Sequence, residues 1–118
     1  MWATDGDHVA AMTGDYLFAR GFATLAETGD MASVRLLAET AHALAQGEAM
    51  QMLQLRRVDT TAAQYLERCS LKTGRLFSCA CSLGARLGGL GDDDVAALAV
   101  DGDRLGLAFQ IADDLLDV

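Results

Sequence analysis

The 118-residue chain contains no proline. Without it the strongest local breaker of helices is missing, and runs of β-branched and aromatic residues that would mark strands are scarce, so an all-α chain is the economical reading. Cysteine is sparse and odd in number. Cys69, Cys79 and Cys81 form no CxxC pair and have no neighbouring His, which argues against a thiolate metal site and for core thiols in a reducing compartment. Long apolar runs are missing as well. The longest stretch without Asp, Glu, Lys or Arg is Leu76–Ala85, far short of the roughly 20 residues that span a bilayer. The first Lys or Arg is Arg20 with no apolar core before it, so neither an integral membrane segment nor a secretory leader is expected, and the expected location is cytoplasmic. Positive charge is the last shortage. Nine bases stand against 17 acids for a net charge of −8, so no nucleic acid or anionic membrane surface is expected as a partner.

What is present is greasy and locally acidic. Apolar residues make up 52% of the chain and the mean hydropathy is +0.20. Disorder is excluded by that content, and a surface in need of a partner is suggested. The acidity belongs to one end: residues 92–118 carry eight Asp against Arg104, a net of −7, which leaves −1 for residues 1–91. No repeat, linker or low-complexity tract divides the chain, which is expected to form a single helical unit over residues 1–118.

Four helices are predicted. The first runs from about Val9 to Glu27 and stops at Thr28-Gly29; the second follows Asp30 and reaches about Arg56. The third opens at Thr61-Ala62-Ala63-Gln64, which fits a capping box, and continues to about Leu87. The fourth follows the Gly88–Gly91 loop and reaches the last residues, with Asp92, Asp93 and Asp94 as a solvated start facing the positive helix end.

Polar residues interrupt the apolar stripes of three of these helices when successive residues are placed about 100° apart. In the second, Glu48 and Gln51 fall in line with Leu37, Ala41, Leu44 and Leu55, which implies either a wet cavity or a specific buried pair. In the third, Lys72, the only lysine of the chain, clusters with Cys69, Leu76 and Leu83. Such an ammonium either snorkels from a stripe edge or aims a point charge at an anion in a cleft. In the fourth, Gln110, Asp113, Asp114 and Asp117 share one face beside a predicted core stripe of Leu98, Leu105, Phe109 and Leu116. Gly106, Gly102 and Ala99 precede the acids on that face, and the glycines leave room for something to approach the backbone. Like charges a turn apart repel, and carboxylates near a helix C-terminus oppose the dipole. The arrangement is therefore either a solvated acidic end or a cation site, and an all-oxygen donor set favours Mg²⁺.

Phe109-Gln110-Ile111-Ala112-Asp113-Asp114-Leu115-Leu116-Asp117 resembles the second aspartate-rich motif of the trans-isoprenyl diphosphate synthases, the polyprenyl synthetases. Gly14-Asp15-Tyr16-Leu17, Gly47-Glu48-Ala49-Met50-Gln51 and Leu71-Lys72-Thr73-Gly74 resemble three further segments of that family, in the family's order. The resemblance implies an antiparallel all-α helix bundle of the isoprenoid (terpenoid) synthase fold, of which residues 1–118 would be the middle part. It implies a Mg²⁺-dependent prenyltransferase of isoprenoid biosynthesis that condenses an allylic diphosphate with isopentenyl diphosphate. Asp113, Asp114 and Asp117 would hold Mg²⁺. Lys72, Thr73 and Gln110 would take catalytic roles, and Lys72, Gln51, Phe109 and Gln110 would contact substrates.

One departure from the family pattern stands out. A first aspartate-rich motif should precede Gly14, yet residues 1–12 offer only Asp5, Asp7 and His8. The chain alone is therefore expected to have little or no prenyltransferase activity. A non-catalytic partner subunit, or a helical interaction module derived from the same family, is the alternative reading. Apolar helix faces left uncovered are expected to drive homo-oligomerisation.

Overall fold

The computed structural model describes residues 6–118; Asp5 lies outside them. The elements are α1 (Asp7–Glu27), α2 (Met31–Gln54), α3 (Ala62–Cys69), α4 (Arg75–Leu87) and α5 (Asp92–Leu116), and no strand occurs among the described residues. A π-helical turn, Ser70–Gly74, joins α3 to α4 with helical backbone at both junctions. The predicted third helix is thus one rod with an i→i+5 turn in its middle. Its start is the expected capping box: Thr61 accepts from the Gln64 backbone, and the Gln64 side chain accepts from the Thr61 backbone. Gly29 closes α1 with φ 71°, a conformation that suits glycine because it lacks Cβ. The Asp92–Asp94 run lies exposed in the first turn of α5, where it complements the helix dipole.

The chain divides into two compact units, Met1–Leu37 and Ala38–Val118. In the first, Leu25 and Ser33 are buried and the rings of Phe18 and Phe22 meet at 5.5 Å. The second is held by α4 and α5, which pack along their length as an antiparallel pair across the short Gly88–Gly91 loop, with α5 also against the π turn. Apart from Gln110, its buried residues are small: Thr40, Gly47, Cys69, Gly74, Cys79, Ser82, Ala85, Gly102 and Gly106.

The face that α5 buries is not the predicted one. Leu105, Phe109 and Leu116 are 60%, 57% and 85% exposed, and Leu98 is exposed as well. The buried edge is Gly102, Gly106 and Gln110. A Cβ on Gly106 would stand 2.8 Å from the Gly74 Cα, and one on Gly102 would stand 2.8 Å from the Phe77 carbonyl oxygen. What approaches the glycine backbone is another helix, because contact at that distance is available only where both surfaces lack side chains.

Two other stripes shift for related reasons. On α2 the buried positions are Ser33, Leu37, Thr40 and Gly47, while Glu48 and Leu55 are exposed. Gly47 turns inward because it admits the backbone of Lys72, whose nitrogen would lie 2.8 Å from a Cβ there. On α4 the buried set is Cys79, Ser82 and Ala85, and Leu76 is exposed. The π turn takes up one residue more than an α turn, so everything beyond Gly74 is rotated by about 100° from the α-helical projection.

Substituting Gly106→Ala is expected to lower stability by about 1–3 kcal/mol, since the new methyl meets backbone that cannot yield. Gly84→Ala, where a Cβ meets nothing within 4 Å, should raise stability by roughly 0.5–1 kcal/mol. Urea unfolding of the two variants beside the parent chain checks both signs.

Candidate functional site

Three helical segments of the second unit enclose a cavity of about 500 Å³. Gln51, Gln54 and Leu55 line it from the end of α2, Tyr65 and Arg68 from α3, Lys72 from the π turn, and Gln110, Asp113, Asp114 and Asp117 from the end of α5. Each set follows helical spacing. Tyr65, Arg68 and Lys72 rise along one face of the rod, and Gln110, Asp113, Asp114 and Asp117 stand at i, i+3, i+4 and i+7. The close contacts at Gly47 and Gly106 bring the three walls together.

Hydrogen bonds fix the walls to one another. Lys72 Nζ donates to Gln51 Oε1 at 2.8 Å and stands 4.0 Å from the exposed Glu48 carboxylate. Asp114 is held at both oxygens: Tyr65 Oη donates to Oδ2 at 2.7 Å and Gln110 Nε2 donates to Oδ1 at 2.8 Å. Gln110 in turn accepts from the Thr73 hydroxyl. Thr73, Gln110, Asp114 and Tyr65 therefore form one line of donors and acceptors running from the π turn through α5 to α3. The Asp114 carboxylate, by accepting the phenol proton's hydrogen bond, pushes Tyr65 well above its ordinary value of 10.0. The phenol stays a donor throughout the neutral range.

Most of the expected site residues meet here. Gln51, Lys72, Gln110, Asp113, Asp114 and Asp117 line one cavity, and Thr73 adjoins it through Gln110. Phe109 does not line it; its half-exposed ring packs against Phe77 at 5.7 Å. Glu48 is a rim residue, 61% exposed along its side chain. Of the paired alternatives for the second helix, both features occur at Gln51: it lines an open polar cavity and is paired with Lys72 of the neighbouring rod.

The three aspartates do not converge into a cage. Asp113 and Asp117 are exposed, and among the described residues no group of three or more His, Cys, Asp or Glu side chains is placed to hold a metal ion. Mutual repulsion keeps the carboxylates apart, and the bonds from Tyr65 and Gln110 pin Asp114. The donor chemistry nevertheless fits a hard cation of the Mg²⁺ type, which keeps waters and takes one or two carboxylates together with phosphate oxygens.

Tyr65, Arg68 and Gln54 were not among the residues singled out from the sequence. The spacing of Tyr65 and Arg68 from Lys72 carried a signal for them.

The all-α scaffold, with Asp-rich and Lys-bearing helical faces along one cavity, matches solved structures of the isoprenoid synthase fold. The chain belongs to the polyprenyl synthetase family, whose model matches residues 1–118. It is 39% identical over 108 residues to heptaprenyl diphosphate synthase component 2 of Geobacillus stearothermophilus, covering 92% of this chain and 34% of that one. It is 30% identical over 115 residues to octaprenyl diphosphate synthase of Escherichia coli, covering 98% and 36%. Among solved structures, a decaprenyl diphosphate synthase from Rhodobacter capsulatus aligns with TM-score 0.82 and 42% identity over 98% of this chain and 37% of that one. A polyprenyl synthase from Caulobacter crescentus, solved with calcium and isoprenyl diphosphate, aligns with TM-score 0.83 and 38% identity over 99% and 39%. The chain thus spans about a third of the length of the curated relatives it matches. No described helix is long and apolar enough to cross a membrane.

Replacing Tyr65 by Phe is expected to cost about 1 kcal/mol, at the low end for a bond to a charged acceptor because the pair is only partly buried. A phenol whose folded-state value is raised contributes stability that is complete below its ordinary value of 10.0 and is lost as pH climbs through the folded-state value. The difference between parent and Tyr65→Phe in urea unfolding should therefore hold steady from pH 6 to about pH 9 and shrink in stronger alkali.

Proposed function

We propose that this chain supplies one wall of the substrate site of a trans-prenyl diphosphate synthase, the wall that binds the diphosphate of an allylic substrate. The observation that carries the reading is the convergence of Lys72, Gln51, Gln110 and three aspartates on a single cavity. Lys72, steadied by Gln51, offers its ammonium to the diphosphate oxygens, and Gln110 is held beside it by Thr73. Asp113, Asp114 and Asp117 would hold Mg²⁺, which when bound supplies positive charge to the leaving diphosphate. Lys72 adds to that neutralisation as the C–O bond breaks, an electrostatic effect in a site shaped beforehand. The allylic cation so released is attacked by the double bond of isopentenyl diphosphate, and loss of a proton completes the condensation.

Thr73 and Gln51 would lie near that cation, and Phe109, packed beside Phe77, would lie near the second substrate. Exposed Leu98, Leu105 and Leu116 on α5 support self-association, and the free thiols of Cys69, Cys79 and Cys81 suit a cytoplasmic setting. The first acidic wall that the family resemblance implies has no counterpart in this sequence, so the 118-residue chain by itself binds without turning substrate over.

In calorimetric titration the chain is expected to bind inorganic pyrophosphate in the presence of Mg²⁺ and to lose that binding on addition of EDTA. Asp113→Ala and Asp117→Ala should each weaken it about tenfold, the loss of one charge-assisted contact. Binding that survives EDTA and both substitutions would defeat the metal assignment. Robust turnover of an allylic diphosphate by the purified chain would defeat the expectation of inactivity.

A further inference from the structure

Arg68 stands in the same cavity as Lys72 and the aspartates, yet the proposed function gives it no task. It is half-buried, so its guanidinium is partly removed from water. Nη1 donates to Gln54 Oε1 at 3.1 Å, and the guanidinium carbon lies 5.2 Å from the centroid of the Tyr65 ring. These two contacts hold the fork in place without neutralising it: among the described residues Arg68 makes no ion pair. Asp114, one of three carboxylates lining the same cavity, accepts from Tyr65 and Gln110 instead. Among the described residues the guanidinium bonds through Nη1, and the side chain lines the cavity.

From this geometry we infer that Arg68 is a second diphosphate-binding cation, gripping the phosphoryl oxygens with its planar fork beside the point charge of Lys72. The inference rests on the proposed diphosphate-binding function and deepens it. A guanidinium matches two phosphoryl oxygens at once, whereas an ammonium cannot. Stacking on Tyr65 and the bond to Gln54 settle the side chain before the ligand arrives, which reduces the ordering cost of binding. Charge balance points the same way. Among the lining residues, Arg68 and Lys72 against Asp113, Asp114 and Asp117 leave one net negative charge, with Glu48 outside them on the rim, and one divalent cation reverses the sign of the lining. Without Arg68 the same cation would bring the lining only to neutrality, a poor host for a multiply charged anion.

The test is titration of the full chain with inorganic pyrophosphate in Mg²⁺, comparing the parent with Arg68→Gln, Arg68→Lys and Lys72→Gln. Arg68→Gln should weaken binding about tenfold or more, and Arg68→Lys by a smaller factor of roughly three, because the charge remains and the fork is lost. Circular dichroism checks that each variant is folded. If Arg68→Gln is unfolded, Arg68→Lys decides in its place, with unchanged affinity overturning the inference. Parental affinity in Arg68→Gln alongside weakened binding in Lys72→Gln overturns the role of Arg68 alone. A parent chain that binds no pyrophosphate overturns the proposed function itself, and the role of Arg68 with it.

Discussion

The contact on which the second unit depends is the bare-backbone approach of α5 to the π turn. Gly106 meets Gly74, Gly102 meets the Phe77 carbonyl, and a Cβ on Gly74 would run into Asp103. Two glycines inside a helix cost about 1 kcal/mol each relative to alanine. The hydrogen bonds that this proximity allows offset the cost. Thr73 comes within reach of Gln110, and Ser70 donates to Asp103 at 2.9 Å. Gln110, the next residue along the glycine edge, then carries its amide to Asp114 one turn further on. Larger side chains at 102 or 106 would push α5 outward and separate every member of that line at once.

The same close packing explains which parts of the fold were legible in the sequence. Helix boundaries were legible because local chemistry sets them: the reciprocal Thr61 and Gln64 bonds, the left-handed Gly29, the Asp run opening α5. The buried faces were less so. Apolar periodicity assigns large side chains to the core, and here the interior of the second unit is mostly glycine, cysteine, serine, threonine and alanine with Gln110, while Leu105 and Leu116 face outward. Small residues pack by backbone proximity, which hydropathy does not register. The π turn compounded this, because projecting residues at a constant angle from Cys69 to Leu83 carries the phase error of the inserted residue into all of α4.

For the candidate site the balance is reversed. Gln51, Lys72, Gln110 and the aspartates were visible as polar residues out of keeping with their helices, and they do line one cavity. Their prominence has a physical source: a charge on an otherwise apolar helix must be compensated by something, so it advertises a partner. Phe109 carries no such anomaly. Its placement beside Phe77, outside the cavity lining, could not be read from an apolar residue on an apolar helix. Tyr65 and Gln54 escaped attention for the opposite reason, since neither bears a charge and each is ordinary on a helix surface.

Electrostatics also explain why the acidic end of α5 is tolerated at all. Asp113, Asp114 and Asp117 repel one another and face the negative end of their own helix dipole. Two neutral donors, Tyr65 and Gln110, quiet the middle carboxylate without cancelling its charge, since a phenol and an amide supply hydrogen bonds but no positive charge. Asp113 and Asp117 stay exposed, where water screens them. The two cations of the cavity take glutamines as their hydrogen-bond partners, Lys72 with Gln51 and Arg68 with Gln54, with Glu48 on the rim 4.0 Å from Lys72. Lys72, Arg68 and Asp114 are thus each tethered to a glutamine or a phenol. Direct ion pairs would collapse the cavity and consume the charges. Neutral tethers keep both signs available, as the proposed binding of an anion together with its metal cation would require.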